Sequence, residues 1–209
     1  MSVKLISSTP EAEVQIAYCA RVSNPLNQKN TSIKGLINYC IKHKHWSIFE
    51  HATLTFEIQT TRAISTQIIR HRSFTFQEFS QRYSDPTQHF EIIIPELRQQ
   101  AEKNRQSSTT TINETDNYIF QNKIRKHFND SIELYQELIK HKVARECARG
   151  ILPLNTETRL YMSGNIRSWI HYIQLRATPE TQKEHRQIAE EIKKLFKETL
   201  PNISDALKF

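Results

Sequence analysis

Residues 70–83 read RHRSFTFQEFSQRY, and no other window of the chain is as dense in groups that can hold an anion. These fourteen residues include three arginines, one histidine and one carboxylate, with four aromatic side chains interleaved among the charges. The aromatics indicate that part of the segment is buried, and buried arginines need anionic partners. We therefore predict an anion-binding segment, although a charged run without aromatics is most often a solvated loop.

Glu78, Ser80 and Arg82 occupy every second position near the end of this stretch. In an extended segment all three side chains would point to one side, whereas on a helix only Glu78 and Arg82 would share a face. The spacing alone leaves both conformations open.

The same stretch resembles the signature of the flavin-dependent thymidylate synthases, which methylate dUMP without a cysteine nucleophile. The resemblance lies in Arg-His-Arg, seven further residues, a serine, and an Arg-Tyr pair two positions later. The six matched positions are Arg70, His71, Arg72, Glu78, Ser80 and Arg82. Thr75 and Gln77 stand where the family more commonly has Ser and Asn.

The length and composition of the chain predict one domain spanning residues 1–209. No apolar run approaches the roughly 20 residues that cross a bilayer, and residues 1–11 lack the apolar core of a signal peptide. Cys19, Cys40 and Cys147 are scattered and form no CxxC pair, which favours free thiols in a reducing compartment. We expect a cytoplasmic protein without a membrane partner.

A net charge of +7 indicates anionic partners, but charge alone does not separate RNA from a nucleotide. With only three glycines, the chain can contain neither GxGxxG nor GxxxxGK[ST]. Any phosphate is therefore expected to be held by side chains, for which the arginine guanidinium is well suited. His45 and His51 flank Glu50 without HExxH spacing, and we expect no metal site.

Hydrophobic periodicity predicts alternating strands and helices. The predicted strands span residues 3–7, 52–60 and 90–94. The predicted helices span residues 10–20, a segment from residue 32, and residues 62–70, 118–148, 153–176 and 180–200. The apolar stripe of residues 118–148 is expected to be core. Residues 99–116 are rich in Gln, Ser, Thr and Asn, and we expect a mobile polar insertion without chemistry.

Three positions outside the signature draw attention by their placement. Gln67 lies one turn before Arg70, so both would project to one side of a helix, where an amide can pair with a pyrimidine edge. Arg149 precedes Gly150 at an expected helix junction, and Arg176 ends the expected helix that carries Asn165, Arg167 and His171.

The family resemblance implies roles for these residues. The expected flavin contacts are His45, Ser47, Arg70, His71, Arg72, Glu78, Asn165, Arg167 and His171. The expected dUMP contacts are Gln67, Arg70, Glu78, Ser80, Arg82, Arg149 and Arg176. Among them, Arg176 is expected to be catalytic by activating the uracil ring, and many relatives carry Asn rather than His at position 171.

The resemblance further implies an α/β fold in which a small central β-sheet is flanked by long α-helices. It implies a homotetramer with sites shared between subunits. The implied reaction converts dUMP and methylenetetrahydrofolate to dTMP, with FAD reduced by NADPH. No nucleic acid partner is expected.

Two other functions remain open at the level of the residues. Aromatics among arginines could stack bases and neutralise phosphates in a basic RNA-binding protein, which would be colourless. A flavin-free nucleotide hydrolase could use Glu78 as its general base. The absorption spectrum of the purified protein would separate both from a flavoprotein.

Overall fold

A computed structural model describes all 209 residues and shows a mixed α/β fold with a four-stranded sheet of order β1-β2-β6-β3. The strands are β1 (Ser2–Ser8), β2 (Thr53–Thr61), β3 (Thr75–Glu78), β4 (Arg98–Gln100), β5 (Ser108–Thr111) and β6 (Glu157–Asn165). The helices are α1 (Ala12–Ala20), α2 (Lys34–Lys42), α3 (Arg62–Ile68), α4 (Glu114–Lys140), α5 (Arg145–Ala148), α6 (Ile166–Arg176), α7 (Lys183–Thr199) and α8 (Pro201–Leu207). The predicted fold class is confirmed.

The sheet is antiparallel. The Thr9 N–H donates to the Thr53 carbonyl at 3.0 Å, which joins the end of β1 to the start of β2. The Phe79 N–H donates to the Arg159 carbonyl at 2.9 Å, which joins the end of β3 to the early part of β6. β2 alternates between buried and less buried residues along its length, as its sequence predicts.

The chain comprises two compact units. The first unit consists of Met1–Ile58, Ile68–Gln77 and Tyr161–Phe209, and the second of Gln59–Gln67 and Glu78–Leu160. In the core of the first unit, the Trp169 ring packs edge-on against Phe56 at 4.8 Å and against Phe74 at 4.6 Å between ring centroids. In the second unit, Ile64, Tyr135, Ala148 and Leu160 are buried.

The prediction of a helix starting at Pro153 is wrong, because residues 157–165 form strand β6. Thr158, Leu160 and Met162 are buried and alternate with less buried residues, which is the period of a strand. The proline after Gly150 suggested a helix start, but the helix begins only at Ile166. Asn165, Arg167 and His171 therefore belong to the start of α6 and not to a longer helix.

Two further expectations for the middle of the chain differ from the structure. Residues 90–94 do not form a strand, since pairing is confined to one isolated bridge between Ile92 and Thr156. Residues 98–111 contain the antiparallel hairpin of β4 and β5, where no strand was predicted in the polar insertion 99–116. Its polar side chains gave no strand pattern, because none of the β5 residues is buried.

The long helix α4 was expected to turn an apolar stripe into the core, and this is wrong for the single chain. Tyr135 is the one buried residue among its 27 residues. Tyr118, Phe120 and Leu134 are instead 73%, 48% and 47% exposed. The helix therefore presents large apolar side chains to its surroundings. None of the helices is long and apolar enough to cross a membrane.

Gly164 on β6 generates a stability prediction. A Cβ at this position would lie 2.5 Å from Cδ1 of Phe74, whose ring is packed against Trp169. We expect Gly164→Ala to lower the free energy of unfolding by about 1–3 kcal/mol, because the packed ring has to move. Urea denaturation measures the change.

The matched control is Gly35→Ala on α2, where no atom lies within 4 Å of the added Cβ. Alanine favours a helix over glycine by up to about 1 kcal/mol, so this variant should be as stable as the parent or more stable. Equal stability of the two variants would show that Phe74 does not restrict position 164.

Candidate functional site

The first unit contains a cavity of about 660 Å³ beside α6. Its lining residues are Trp46, Glu50, Ser73, Asn165, Arg167, Ser168, Ile170, His171 and Gln174. Arg167, His171 and Gln174 are spaced by four and three positions, so they share one face of the helix. The structure thus brings three predicted flavin contacts, Asn165, Arg167 and His171, to one cavity.

The start of α6 orients this face. The Asn165 side-chain oxygen accepts the Ser168 N–H at 2.8 Å, which caps the helix. The Trp169 indole N–H donates to the Leu54 carbonyl at 3.1 Å inside the core. With Trp169 fixed inward, the opposite face of α6 has to carry Arg167 and His171 into the cavity.

An ion pair stands at the cavity wall, where the Arg167 guanidinium donates to the Glu50 carboxylate. The side chains are 52% and 42% exposed, so the pair contributes little to stability. The guanidinium therefore remains accessible to an anion in the cavity that can replace Glu50.

His45 and Ser47 lie near the same cavity but do not line it. Both are exposed, at the start of the 3-10 helix Trp46–Glu50, whose Trp46 and Glu50 are lining residues. The His45 ring contacts Tyr39, with centroids 5.7 Å apart. Arg70 and Arg72 are also exposed, on either side of His71 in the loop after α3.

His71 and Arg176 form a direct hydrogen bond that the sequence did not indicate. The Arg176 Nε–H donates to His71 Nε2 at 3.0 Å, so that nitrogen must be unprotonated. Burial, followed by the charges of Arg176 and His171, lowers the pKa of His71 from 6.5 to about 4. His71 is therefore neutral near pH 7.

A fully buried histidine adjoins this pair and was missed by sequence reasoning. His185 on α7 is fully buried, and its Nε2 lies 3.1 Å from the Tyr172 hydroxyl. Burial is the main cause that lowers the pKa of His185 to about 3, followed by the charge of Arg176. Burial also raises the pKa of Tyr172. The one feature of the sequence that could have indicated this cluster was the four-residue spacing of Tyr172 and Arg176, which places both on one face of α6.

The second unit holds the other predicted residues, beginning with Glu78 at the end of β3. The Glu78 carboxylate pairs with Arg62 at 2.8 Å and accepts the Thr158 hydroxyl at 3.0 Å. Ser80 then opens a turn that the Tyr83 N–H closes at 3.1 Å. The extended conformation therefore does not continue to Arg82, and the three alternating side chains do not form one extended row.

Arg82, Arg149 and Gln67 occupy separate elements of the second unit. Arg82 is exposed and pairs with Glu146 at 2.8 Å. Arg149 begins the 3-10 helix Arg149–Ile151 directly after α5, but the junction expected there with a helix from Pro153 does not exist. Gln67 is half-buried on α3, which ends at Ile68, so the helical spacing assumed between Gln67 and Arg70 does not apply.

Comparison with known proteins identifies relatives over nearly the whole chain. The family model "Thymidylate synthase complementing protein" matches residues 4–202. A probable flavin-dependent thymidylate synthase of Paramecium bursaria Chlorella virus 1 is 48% identical, with 99% of each chain covered. A flavin-dependent thymidylate synthase of Synechocystis sp. is also 48% identical, with 100% of each chain covered.

The fold is likewise similar to a solved structure. The crystal structure of a UMP/dUMP methylase, PolB, from Streptomyces cacaoi, bound with 5-Br dUMP, superposes with a TM-score of 0.82. The two sequences are 25% identical, and the match covers 99% of this chain and 94% of that one.

The half-buried His71 and the fully buried His185, both neutral, predict a loss of stability in mild acid. An unfolded histidine binds a proton near pH 6.5, whereas His71 and His185 resist protonation down to about pH 4 and 3. Their contribution to stability is complete above pH 6.5 and is lost as the pH falls towards these values. Each contributes at most about 1.4 kcal/mol per pH unit in that range.

Urea denaturation between pH 7 and pH 4.5 measures this loss. A His185→Gln variant should show a flatter decline, because it removes one of the two groups. His127→Gln, which changes an exposed histidine on α4, is the control and should keep the slope of the parent. An unchanged slope in His185→Gln would contradict the assignment of His185 as a buried neutral group.

Proposed function

The chain belongs to the flavin-dependent thymidylate synthase family, and we propose that it methylates dUMP to dTMP with FAD as its bound cofactor. In this proposal, methylenetetrahydrofolate donates the carbon and NADPH supplies the reducing equivalents, as the family implies. The observation that carries the proposal is the arrangement of α6. This single helix of 11 residues bears the cavity-lining Arg167 and His171 and ends at Arg176.

The cavity beside α6 fits a flavin site in size and chemistry. Small-molecule sites span roughly 300–1,000 Å³, and the volume of about 660 Å³ lies within this range. Asn165, Arg167 and His171 would hold FAD there, with the exposed Arg70 and Arg72 available for its phosphates. Bound FAD supplies the redox chemistry that side chains lack. The polar side chains of this face would orient the FAD through hydrogen bonds.

The exposed His45 and Ser47 complete the proposed flavin contacts, together with His71 and Glu78 from the signature. His71 enters the proposal chiefly through Arg176, because its Nε2 already accepts that Nε–H. Glu78 is held by Arg62 and Thr158 in the second unit. An ionised carboxylate has about four lone-pair sites, so Glu78 can accept from a ligand in addition to these two partners.

For dUMP, we propose that Arg82 and Arg149 bind the phosphate through charge-assisted hydrogen bonds. Both side chains of the Arg82–Glu146 ion pair are exposed to solvent, so a phosphate can replace the carboxylate at little cost in free energy. Ser80 is exposed and can donate its hydroxyl to the same anion. Gln67 is the proposed contact to the pyrimidine edge of the nucleotide, and Arg70 is proposed to reach a phosphate or the cofactor.

Arg176 is the proposed catalytic residue. Its guanidinium is permanently positive, and only its Nε is used in the contact with His71. The two Nη groups can therefore face a uracil carbonyl and stabilise the negative charge that develops as the ring is activated. Neutral His71 fixes the plane of the guanidinium without cancelling its charge.

We further propose a homotetramer with sites shared between subunits and a cytoplasmic location. The exposed apolar side chains of α4 support an interface with other copies of the chain. The three cysteines are free thiols, which suits a reducing compartment. The proposal includes neither a nucleic acid nor a membrane partner.

The proposed function predicts a yellow protein that forms dTMP. The purified chain, supplied with FAD, should retain a flavin absorption spectrum after gel filtration. It should release dTMP from dUMP only when methylenetetrahydrofolate and NADPH are both present. A colourless protein that takes up no added FAD would contradict the proposal.

Substitution of two arginines should separate substrate binding from turnover. Arg149→Ala removes a phosphate partner and should weaken dUMP binding more than about tenfold, because truncating one partner of a desolvated charge pair costs about 2–5 kcal/mol. Arg176→Ala should keep FAD bound but lower turnover about 10²- to 10³-fold. Calorimetry with dUMP and the rate of dTMP formation measure the two effects.

Arg105→Ala provides a control for the loss of one positive charge, because Arg105 is exposed between β4 and β5. It should match the parent in both measurements. Release of FAD from Arg176→Ala, with activity restored by excess FAD, would identify Arg176 as a flavin anchor instead of the catalytic residue.

A further inference from the structure

The orientation of Arg176 depends on one neighbour. Its Nε–H donates to His71 Nε2 at 3.0 Å, and the structure shows no other hydrogen bond from this guanidinium. Arg176 is the last residue of α6, where the helix supplies no further turn to restrain it. The direction of its two Nη groups is therefore set by whatever holds the His71 ring in place.

Three buried rings, those of Phe74, Tyr172 and His185, pack against the His71 ring, and the Phe74 centroid lies 6.4 Å from it at 83°. The Tyr172 ring packs edge-on against His71 at 4.9 Å between centroids and an angle of 74°. The His185 ring lies 6.3 Å away at 86°. Tyr172 precedes Arg176 by four positions on α6, so both side chains project from the same face of the helix towards His71.

Tyr172 and His185 are themselves joined by a buried hydrogen bond. The Tyr172 hydroxyl and His185 Nε2 are 3.1 Å apart, and both residues are fully buried. This bond connects α6 to α7 within one turn of Arg176. Neither residue lines the cavity, and the proposed reaction uses neither of them.

We infer that Tyr172 and His185 are positioning residues for Arg176, and that they act by fixing His71 where it accepts the Arg176 Nε–H. The inference rests on the proposed function for the catalytic role of Arg176, whereas the packing of the four side chains is independent of it. Burial by these rings also keeps His71 neutral, in agreement with its pKa of about 4. A protonated His71 would have no lone pair on Nε2 for Arg176.

Turnover in a double-mutant cycle tests the inference. Tyr172→Phe removes the hydroxyl but keeps the ring, and it should lower kcat about tenfold, the upper range for one lost hydrogen bond. FAD affinity and KM for dUMP should stay within about twofold. In an Arg176→Ala background, Tyr172→Phe should cause no further loss, because it acts through Arg176. If Tyr172→Phe lowers kcat by the same factor in the Arg176→Ala background as in the parent, the inference is overturned.

A second variant separates positioning from stability. Tyr172→Phe removes one partner of the bond to His185, whereas Tyr172→Phe combined with His185→Leu removes both, and urea denaturation compares the stability of the two variants. The inference predicts that kcat stays about tenfold low in this double variant. Recovery of kcat together with stability would show a purely structural role. Tyr161→Phe, which loses a hydroxyl bonded to Glu57 at 2.8 Å, is the control and should keep the parent kcat.

Hydrogen exchange of the Arg176 Nε–H tests the positioning without any measurement of turnover, and therefore independently of the proposed function. In protein with 15N-labelled arginine side chains, the bonded Arg176 Nε–H should exchange slowly with solvent. Tyr172→Phe should speed this exchange at least about tenfold, and Tyr161→Phe should not. Unchanged exchange in Tyr172→Phe overturns the inference even in an active enzyme. Faster exchange supports the positioning even if the chain forms no dTMP, which would contradict only the proposed function.

Discussion

The junction between β6 and α6 is the constraint on which the candidate site depends. Gly164 lets the Phe74 ring approach the strand closely, and the next residue, Asn165, caps the helix through the Ser168 N–H. Trp169 then enters the core and bonds the Leu54 carbonyl, which fixes the rotation of α6 about its axis. With this rotation set, the outer face has to place Arg167 and His171 in the cavity. The end of the same helix has to place Arg176 beside His71.

The arginines of the chain differ in what compensates their charge. Arg62, Arg82 and Arg167 each pair with a carboxylate, whereas Arg176 bonds a neutral imidazole. A carboxylate would cancel most of the positive potential at the site, but a neutral acceptor restrains the guanidinium and leaves its charge for a ligand. Burial maintains this arrangement, since it disfavours the charged form of His71. The protein thus obtains a fixed cation without a counter-ion of its own.

The sequence correctly predicted elements that a local hydrophobic period identifies. It failed for segments whose secondary structure depends on pairing with a distant strand. The alternation of residues 52–60 located β2, and the apolar spacing of residues 180–200 located α7. Pro153 suggested a helix, but cross-strand pairing makes residues 157–165 a strand instead. In the candidate site, the family resemblance singled out Arg167 and Arg176, yet the bond between His71 and Arg176 joins positions 105 apart, which no local pattern reveals. Tyr172 and His185 belong to residue types of intermediate burial, so sequence alone did not identify them as core residues.

The carboxylates beside the arginines fall into two energetic classes, and this difference bears on Glu78. The partners Glu50 and Glu146 are 42% and 54% exposed, so water can solvate them when a phosphate takes their arginine. Glu78 is only 17% exposed and also accepts the Thr158 hydroxyl. Separating it from Arg62 would leave a largely desolvated charge, which is costly. A carboxylate held in this way is poorly suited to take a proton from water as a general base. Glu78 therefore fits a fixed acceptor for a bound ligand better than the base of a hydrolase.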